Sequence, residues 1–315
     1  MRARPAARRS RRRAPSASAL ASLAAPLDQL YRTFNQPESA TDPVHVVRRF
    51  ARPDDREVVG LCAAAVAFGR VASVLATIEA LLAVLGPRPA EFVRRFEPVR
   101  DGARLRPLVH RWIRGVDLVA LLWILRGMLR EAGSIEAVFL EGHQDGDDDV
   151  GPALDRFATR ARATDLTPVY GERPPSRRGV DYFFPRPASG SACKRLNLFL
   201  RWMVRRDAVD LGVWSGVSPS RLVVPLDTHV IRVGQCLRLT RYRTPGWAMA
   251  REITGSLRRL DPDDPVRYDF SICHLGMMDA CGFNRPQRDE GCPLRGVCRP
   301  GGRRRPASPG PYVRR

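Results

Sequence analysis

The chain has 315 residues, 44% of them hydrophobic, and a formal net charge of +20. That is enough for one large or two small domains with a sizeable core, and the basic balance favours a polyanionic partner. No apolar run approaches the roughly 20 residues needed to span a bilayer, and seven cysteines, an odd number, do not make a secreted disulfide framework.

The charge is unevenly spread. Residues 1–26 hold seven arginines and no acid, and residues 301–315 hold five arginines and no acid, so these tails carry +12 and leave about +8 on the body. Residues 1–26 are Arg-, Ala-, Ser- and Pro-rich and read as a disordered basic arm. Ser22 and Pro26 interrupt its apolar part, which argues against a secretory signal. The expected organisation is this arm, a helical domain over 27–300, and a disordered basic tail over 301–315.

Within the body the apolar spacing predicts helices over Arg56–Arg70, Val71–Leu85, Val116–Arg130, Lys194–Arg206, Asp227–Leu239, Trp247–Leu260 and Val266–Ala280. Gly86-Pro87 and Gly133 supply stops. Alternating strand patterns are scarce. The expected fold is all-α without internal repeats. Loops are expected over His143–Gly151, which is acidic, and over Thr167–Gly190, which is rich in Pro, Arg and Gly.

One compositional fact bears on chemistry. Of 53 basic residues, 52 are Arg and one is Lys, at position 194. Guanidinium supplies permanent charge and phosphate contacts but does not act as an amine nucleophile. The small residues Gly190, Ser191 and Ala192 precede the helix that begins at Lys194. Such a turn presents backbone N–H groups and a positive helix end to a phosphate, and it equally suits a plain helix start. Asp227 stands just before the next apolar-periodic helix, where a carboxylate acts as an N-cap and can also face a cleft.

These residues carry a resemblance. Gly190-Ser191-Ala192-Cys193-Lys194 resembles the helix-hairpin-helix of the endonuclease III superfamily, in which a Gly-x-Gly turn leads to a catalytic lysine. Pro225-Leu226-Asp227-Thr228-His229-Val230 resembles that superfamily's segment with the catalytic aspartate. The second hairpin glycine is replaced by Ala192. The 33-residue interval from Lys194 to Asp227 is closer to that of archaeal 8-oxoguanine glycosylases. Ser191 to Asn197, Leu200 to Arg205 and Asp210-Leu211-Gly212 resemble a bacterial family designated domain of unknown function 2400, with likeness running from about Leu27 to Cys298.

The resemblance implies a helix-hairpin-helix, DNA glycosylase-like fold of two packed helical subdomains. It implies a base-excision repair enzyme acting on duplex DNA, with Lys194 as nucleophile, Asp227 as its carboxylate partner, and Gly190, Ser191 and Ala192 against a phosphate. The product would pass through a lysine Schiff base, with AP-lyase strand cleavage and an oxidised purine as the expected lesion. A cytoplasmic, nucleoid-associated monomer is expected. The alternatives are a non-catalytic helix-hairpin-helix nucleic-acid-binding protein and a metal-binding structural protein.

The cysteines Cys273, Cys281, Cys292 and Cys298 follow a spacing that resembles the iron–sulfur loop of endonuclease III. The resemblance implies Cys281, Cys292 and Cys298 as ligands of a [4Fe–4S] cluster, which ordinarily takes four thiolates. The fourth position falls on Asp289. Cys273 lies two helical turns before Cys281, roughly 12 Å along a helix, and suits that place poorly. A zinc site and a degenerate loop without metal are the alternatives. Cys62, Cys193 and Cys236 are expected as core thiols. Phe183, Phe184, Trp202 and Trp214 are expected in the core rather than on a flipped base, and His229 as a structural histidine.

Overall fold

The computed structural model describes residues 16–37, 42–172, 179–277, 292–294 and 296–298. Among them the architecture is all-α apart from one short hairpin. In chain order the helices are α1 (Ala17–Phe34), α2 (Val44–Arg48), α3 (Pro53–Ala65), α4 (Val71–Leu85) and α5 (Pro89–Arg94). A hairpin of β1 (Val109–His110) and β2 (Ile113–Arg114) follows, then α6 (Gly115–Glu131), α7 (Ile135–Leu140), α8 (Gly151–Arg162), α9 (Thr167–Tyr170) and α10 (Gly179–Phe183). The last described helices are α11 (Lys194–Val204), α12 (Thr228–Cys236), α13 (Trp247–Arg258) and α14 (Asp269–Met277).

The expectation of a disordered arm over 1–26 fails for residues 17–26, which form the first half of α1. Ser16 caps that helix by accepting from the Ala19 N–H at 3.2 Å. Leu20, Leu23, Leu27 and Leu30 recur at three- and four-residue spacing and are all buried. The apolar stripe therefore outweighs the polar composition around it. Residues 1–15 and 299–315 lie outside the described residues.

Buried residues from Leu20 to Leu294 form one continuous core. At its centre α3 packs against α11, and α1 packs against α14, so the first and last described helices meet. From Glu57 to Ala65 every residue of α3 is buried. The Glu57 carboxylate accepts from the N–H groups of Ile135 and Glu136 at the start of α7 and from Trp214 Nε1 at 2.6 Å. Burial nevertheless pushes its carboxyl pKa up. Phe183, Phe184, Trp202 and Trp214 are core residues, with Trp202 fully buried. No helix among the described residues is long and apolar enough to cross a membrane.

Candidate functional site

The turn before α11 is built from two left-handed residues, Gly190 at φ 80° and Cys193 at φ 48°. The left-handed region suits glycine and is uncommon for a residue with a side chain, so Cys193 needs local support. Its thiol donates to the carbonyls of Pro185 (3.3 Å) and Ser191 (3.4 Å). Asn197 reaches back to the Ala192 carbonyl at 3.1 Å. Trp247, at the start of α13, donates its N–H to the Gly190 carbonyl at 3.1 Å. Gly190 is exposed, and Ser191 and Ala192 are half-buried.

This turn delivers Lys194 as the first residue of α11. Its side chain is half-buried, and Nζ donates to the Ala67 carbonyl at 3.2 Å, just past the end of α3. The neighbouring Arg195 is buried and faces elsewhere. It donates to the carbonyls of Ala65 and Tyr182, with its guanidinium 3.3 Å from the centre of the Tyr182 ring. Burial lowers the Arg195 pKa to about 10.

Asp227 is the N-cap of α12. Its Oδ1 accepts from the Val230 N–H at 2.7 Å, and its Oδ2 accepts from Cys273 Sγ at 2.9 Å. The Cys273 thiol is held well above its ordinary pKa by burial and by the Asp227 charge, so it stays a donor. Gly276 lets α14 come this close. A Cβ there would stand 2.6 Å from His229 Cβ. His229 is thus wedged between α12 and α14, and its Nδ1 is buried without a hydrogen-bond partner.

Lys194 and Asp227 line one cavity of about 690 Å³. Its walls come from Asp42 and Pro43, the Ala67–Val71 turn between α3 and α4, one face of α11, the start of α12 and the inner face of α14. A volume of this size suits a small organic ligand or one nucleoside. Phe68 and Phe270 supply apolar surface to the wall. Phe68 also carries an aromatic cluster, whose other members do not line the cavity. Trp112, in the β1–β2 turn, lies 4.7 Å from it and is 53% exposed, and Tyr182 lies 5.0 Å from it. Trp112 stands in the two-residue turn of the hairpin, where periodicity gives no signal, and Phe68 lies past the end of α3 although the apolar spacing extends the expected helix over it.

Behind Lys194 the cavity wall is charged. Arg201 Nη1 donates to Asp269 Oδ2 at 2.6 Å and Arg201 Nε to Asp210 Oδ1 at 3.2 Å. Arg205 joins Asp210 from the other side and also binds Asp207 and Asp264. Burial raises the Asp269 pKa to about 7, with Arg201 only partly opposing it and the Asp227 charge adding to it. The charged residues quoted from the Leu200–Leu211 stretch, Arg201, Arg205 and Asp210, are therefore one buried ion-pair network.

Of the expected metal ligands, Cys281 and Asp289 lie outside the described residues, as does the segment joining α14 to Cys292. Cys292 is buried and Cys298 half-buried. Among the described residues no group of three metal-ligating side chains stands together, and the Cys273 thiol is engaged by Asp227. Of the three cysteines expected as ligands, the described residues include Cys292 and Cys298.

A family model described as "Protein of unknown function (DUF2400)" matches residues 42–278. The chain belongs to this family. Every residue lining the cavity, from Asp42 to Met277, falls inside the match, whereas Cys281, Cys292 and Cys298 fall outside it. No curated protein and no solved structure matches the chain.

Proposed function

We propose that this chain is a DNA glycosylase of helix-hairpin-helix type, with Lys194 as nucleophile and Asp227 as its carboxylate partner. The observation that carries the reading is the meeting of the sole lysine and the helix-capping aspartate, 33 residues apart, on one cavity large enough for a nucleoside. The turn at Gly190, Ser191 and Ala192 beside that lysine, exposed at Gly190, suits a phosphate. The exposed Trp112, packed on the cavity-lining Phe68, suits a stacked base.

The chemistry follows from the residue types. A base must leave the duplex stack before its glycosidic bond can be reached. Neutral Lys194 Nζ attacks C1′, the C1′–N bond breaks, and its electron pair leaves with the base, which takes up a proton. The amine loses its protons as the sugar ring opens, leaving a Schiff base. Asp227 stabilises the oxocarbenium-like sugar. Its Oδ1 is committed to the cap and its Oδ2 to the thiol, which hold it rigidly in place. Strand cleavage by β-elimination from the Schiff base gives the AP-lyase activity, and an oxidised purine in duplex DNA is the proposed lesion. A monomer acting at the nucleoid in the cytoplasm completes the proposal. A [4Fe–4S] cluster on Cys281, Cys292 and Cys298, with Asp289 fourth, belongs to it too, and no step above passes through it. Iron and sulfide analysis of anaerobically purified protein checks that part.

One observation favours a second reading. The Lys194 ammonium on the Ala67 carbonyl suits a cation placed at a helix end, as a non-catalytic nucleic-acid-binding protein would need. Borohydride separates the two. It reduces a Schiff base to a stable protein–DNA adduct, and besides the α-amino group Lys194 is the only primary amine in the chain. With a panel of lesion and abasic duplexes, the glycosylase reading expects an adduct that Lys194→Arg and Lys194→Gln abolish, because guanidinium and amide are not nucleophilic at neutral pH. Absence of an adduct from the wild type, or base release by Lys194→Arg at the wild-type rate, overturns it.

A further inference from the structure

The excision chemistry gives the β1–β2 hairpin no covalent task, yet the hairpin is held firmly beside the cavity. Val109 pairs with Arg114 and His110 with Ile113, so alternate residues face opposite sides. His110 and Ile113 are buried, whereas Val109, Arg114 and the two turn residues Arg111 and Trp112 are exposed. His110 is the clamp. Its Nε2 donates to the Phe68 carbonyl at 2.9 Å, its Nδ1 lies 2.9 Å from Thr77 Oγ1, and its ring meets Phe68 in a T shape at 4.6 Å. The tip is thereby tied to the Ala67–Val71 turn, which lines the cavity and whose Ala67 carbonyl holds Lys194 Nζ.

Of the five tryptophans Trp112 alone is exposed. Phe68 backs its indole with planes 31° from parallel, and Tyr182 meets it in a T shape at 5.2 Å. An aromatic ring fixed from behind and open in front is a stacking platform. Positive charge surrounds it. Arg111 lies across Gly69, where a Cβ would stand 3.2 Å from its Cδ, and the left-handed Gly69 leaves it room. The Arg111 guanidinium is 5.5 Å from the centre of the Trp112 ring, and the exposed Arg70 follows Gly69. Among the described residues Arg70, Arg111 and Arg114 have no carboxylate partner, whereas the exposed Arg49, Arg95 and Arg100 each have one. Unpaired cations around an open indole complement a strand that carries both phosphates and bases.

We propose that the hairpin tip is a second nucleotide-binding site, outside the cavity, that takes an unpaired nucleotide: its base stacks on Trp112, and the phosphates beside it lie on Arg70 and Arg111. A base inside an intact duplex is covered on both faces by its neighbours. An indole reaches a base face only where a neighbour is missing or the strand is single. The site therefore recognises single-stranded or locally opened nucleic acid, without choosing among bases, since every base has a stacking face. An acidic protein segment would satisfy the arginines and leave the indole uncovered. This goes beyond the glycosylase reading and stands without it, because neither Lys194 nor Asp227 takes part.

Fluorescence anisotropy of the full chain tests this with three labelled probes: a short oligothymidylate, an oligomer of the same length and charge in which every sugar is abasic, and an intact duplex. The wild type is expected to bind oligothymidylate about tenfold tighter than the abasic oligomer, the scale of one stacked base. Trp112→Ala should bring the two oligomers to the same affinity and change duplex binding by less than about twofold, and Trp112→Phe should keep most of the preference. Arg70→Gln and Arg111→Gln should each weaken both oligomers and lower the salt slope by about 0.7, as loss of one phosphate contact does. Equal affinity of the wild type for the two oligomers overturns the proposal even if a variant fails to fold. A Trp112→Ala loss as large on intact duplex as on oligothymidylate overturns it too. Borohydride trapping of wild-type protein on an abasic-site duplex reports separately on Lys194. An adduct without preference for bases would keep the glycosylase and remove the hairpin site, and preference without an adduct would do the reverse.

Discussion

The two ends of α11 use positive charge in opposite ways. At its start Lys194 is half-buried, with its amine on a single backbone carbonyl and a cavity in front of it. At and just beyond its other end Arg201 and Arg205 are almost wholly buried and fixed by Asp210, Asp264, Asp207 and Asp269. Burial works against each guanidinium, and the surrounding carboxylates more than offset it, so both pKa values are raised. A permanent, many-handed cation suits the place where charge must hold elements together. An amine, loosely held, suits the place where a proton has to come and go. The single departure from arginine thus falls at a cavity cation held by one backbone carbonyl.

The frame end should give the largest effect when broken. Asp210→Ala removes the carboxylate shared by Arg201 and Arg205 and leaves two buried cations short of a partner. The expected cost is about 3–5 kcal/mol of folding stability. At roughly 2–4 °C per kcal/mol for a domain of this size, the melting temperature should fall by about 10 °C. A thermal shift within a degree of wild type would mean that the network does not hold α11 in place.

The cavity end should break activity and spare the fold. Asp227→Asn keeps a residue type that caps helices well, so melting should change by less than about 1 kcal/mol. Loss of the charge next to the developing cation should slow base release about 10²–10³-fold. Single-turnover kinetics on a lesion duplex at saturating protein measures this. A rate within a few fold of wild type would detach Asp227 from the chemistry.

Asp269 links the two ends, and pH reports on it. Its folded pKa is about 7 against an ordinary 3.8. Between those values the folded state holds a proton that the unfolded chain has released. Stability from this group is therefore fully present below about pH 4 and is lost as pH rises toward 7, with a slope of up to about 1.4 kcal/mol per pH unit. Glu57, also raised by burial, adds a loss of the same sign. Denaturant midpoints from pH 4 to 8 should fall more steeply for the wild type than for Asp269→Asn. Parallel profiles would place the Asp269 pKa near that of an exposed carboxylate.

Much of this contrast was legible before the structure, and the missing part has a physical pattern. The strongly periodic helices read well. Val71–Leu85 agrees with α4 at both ends, Trp247 starts α13, and Lys194 starts α11. The first helix of the body was expected over Arg56–Arg70 but runs over Pro53–Ala65, because Pro53 suits a first helical turn and the chain turns again at Gly69 (φ 98°). The start of α1 was hidden by an Arg-, Ser- and Pro-rich composition, and the hairpin by strands of two residues each. The cavity rim was legible because Lys194 and Asp227 each sit at a helix start with its own local signature. The inner wall was not. Arg201 meets Asp269 across 68 positions, and nothing local to either residue announces the other.

The same is true of Cys273, which met the sequence reading only as a distant member of a cysteine series. Its thiol donates to Asp227 Oδ2 at 2.9 Å, across 46 positions. A thiol is a weak donor, so it steers the carboxylate more than it neutralises it. Cys273→Ala should leave Asp227 held only by its cap bond to Val230 and slow base release about fivefold to tenfold, in line with one hydrogen bond of about 1 kcal/mol. Cys273→Ser keeps a donor on a side chain of similar size and should restore most of the rate. A role confined to packing would order the variants by volume and polarity, with both altering melting and neither altering the rate per folded molecule. A cluster ligand would instead lose iron in both. Measuring single-turnover rate, melting temperature and iron content on the same two proteins separates these roles, and a rate unchanged in Cys273→Ala removes the thiol from the catalytic arrangement.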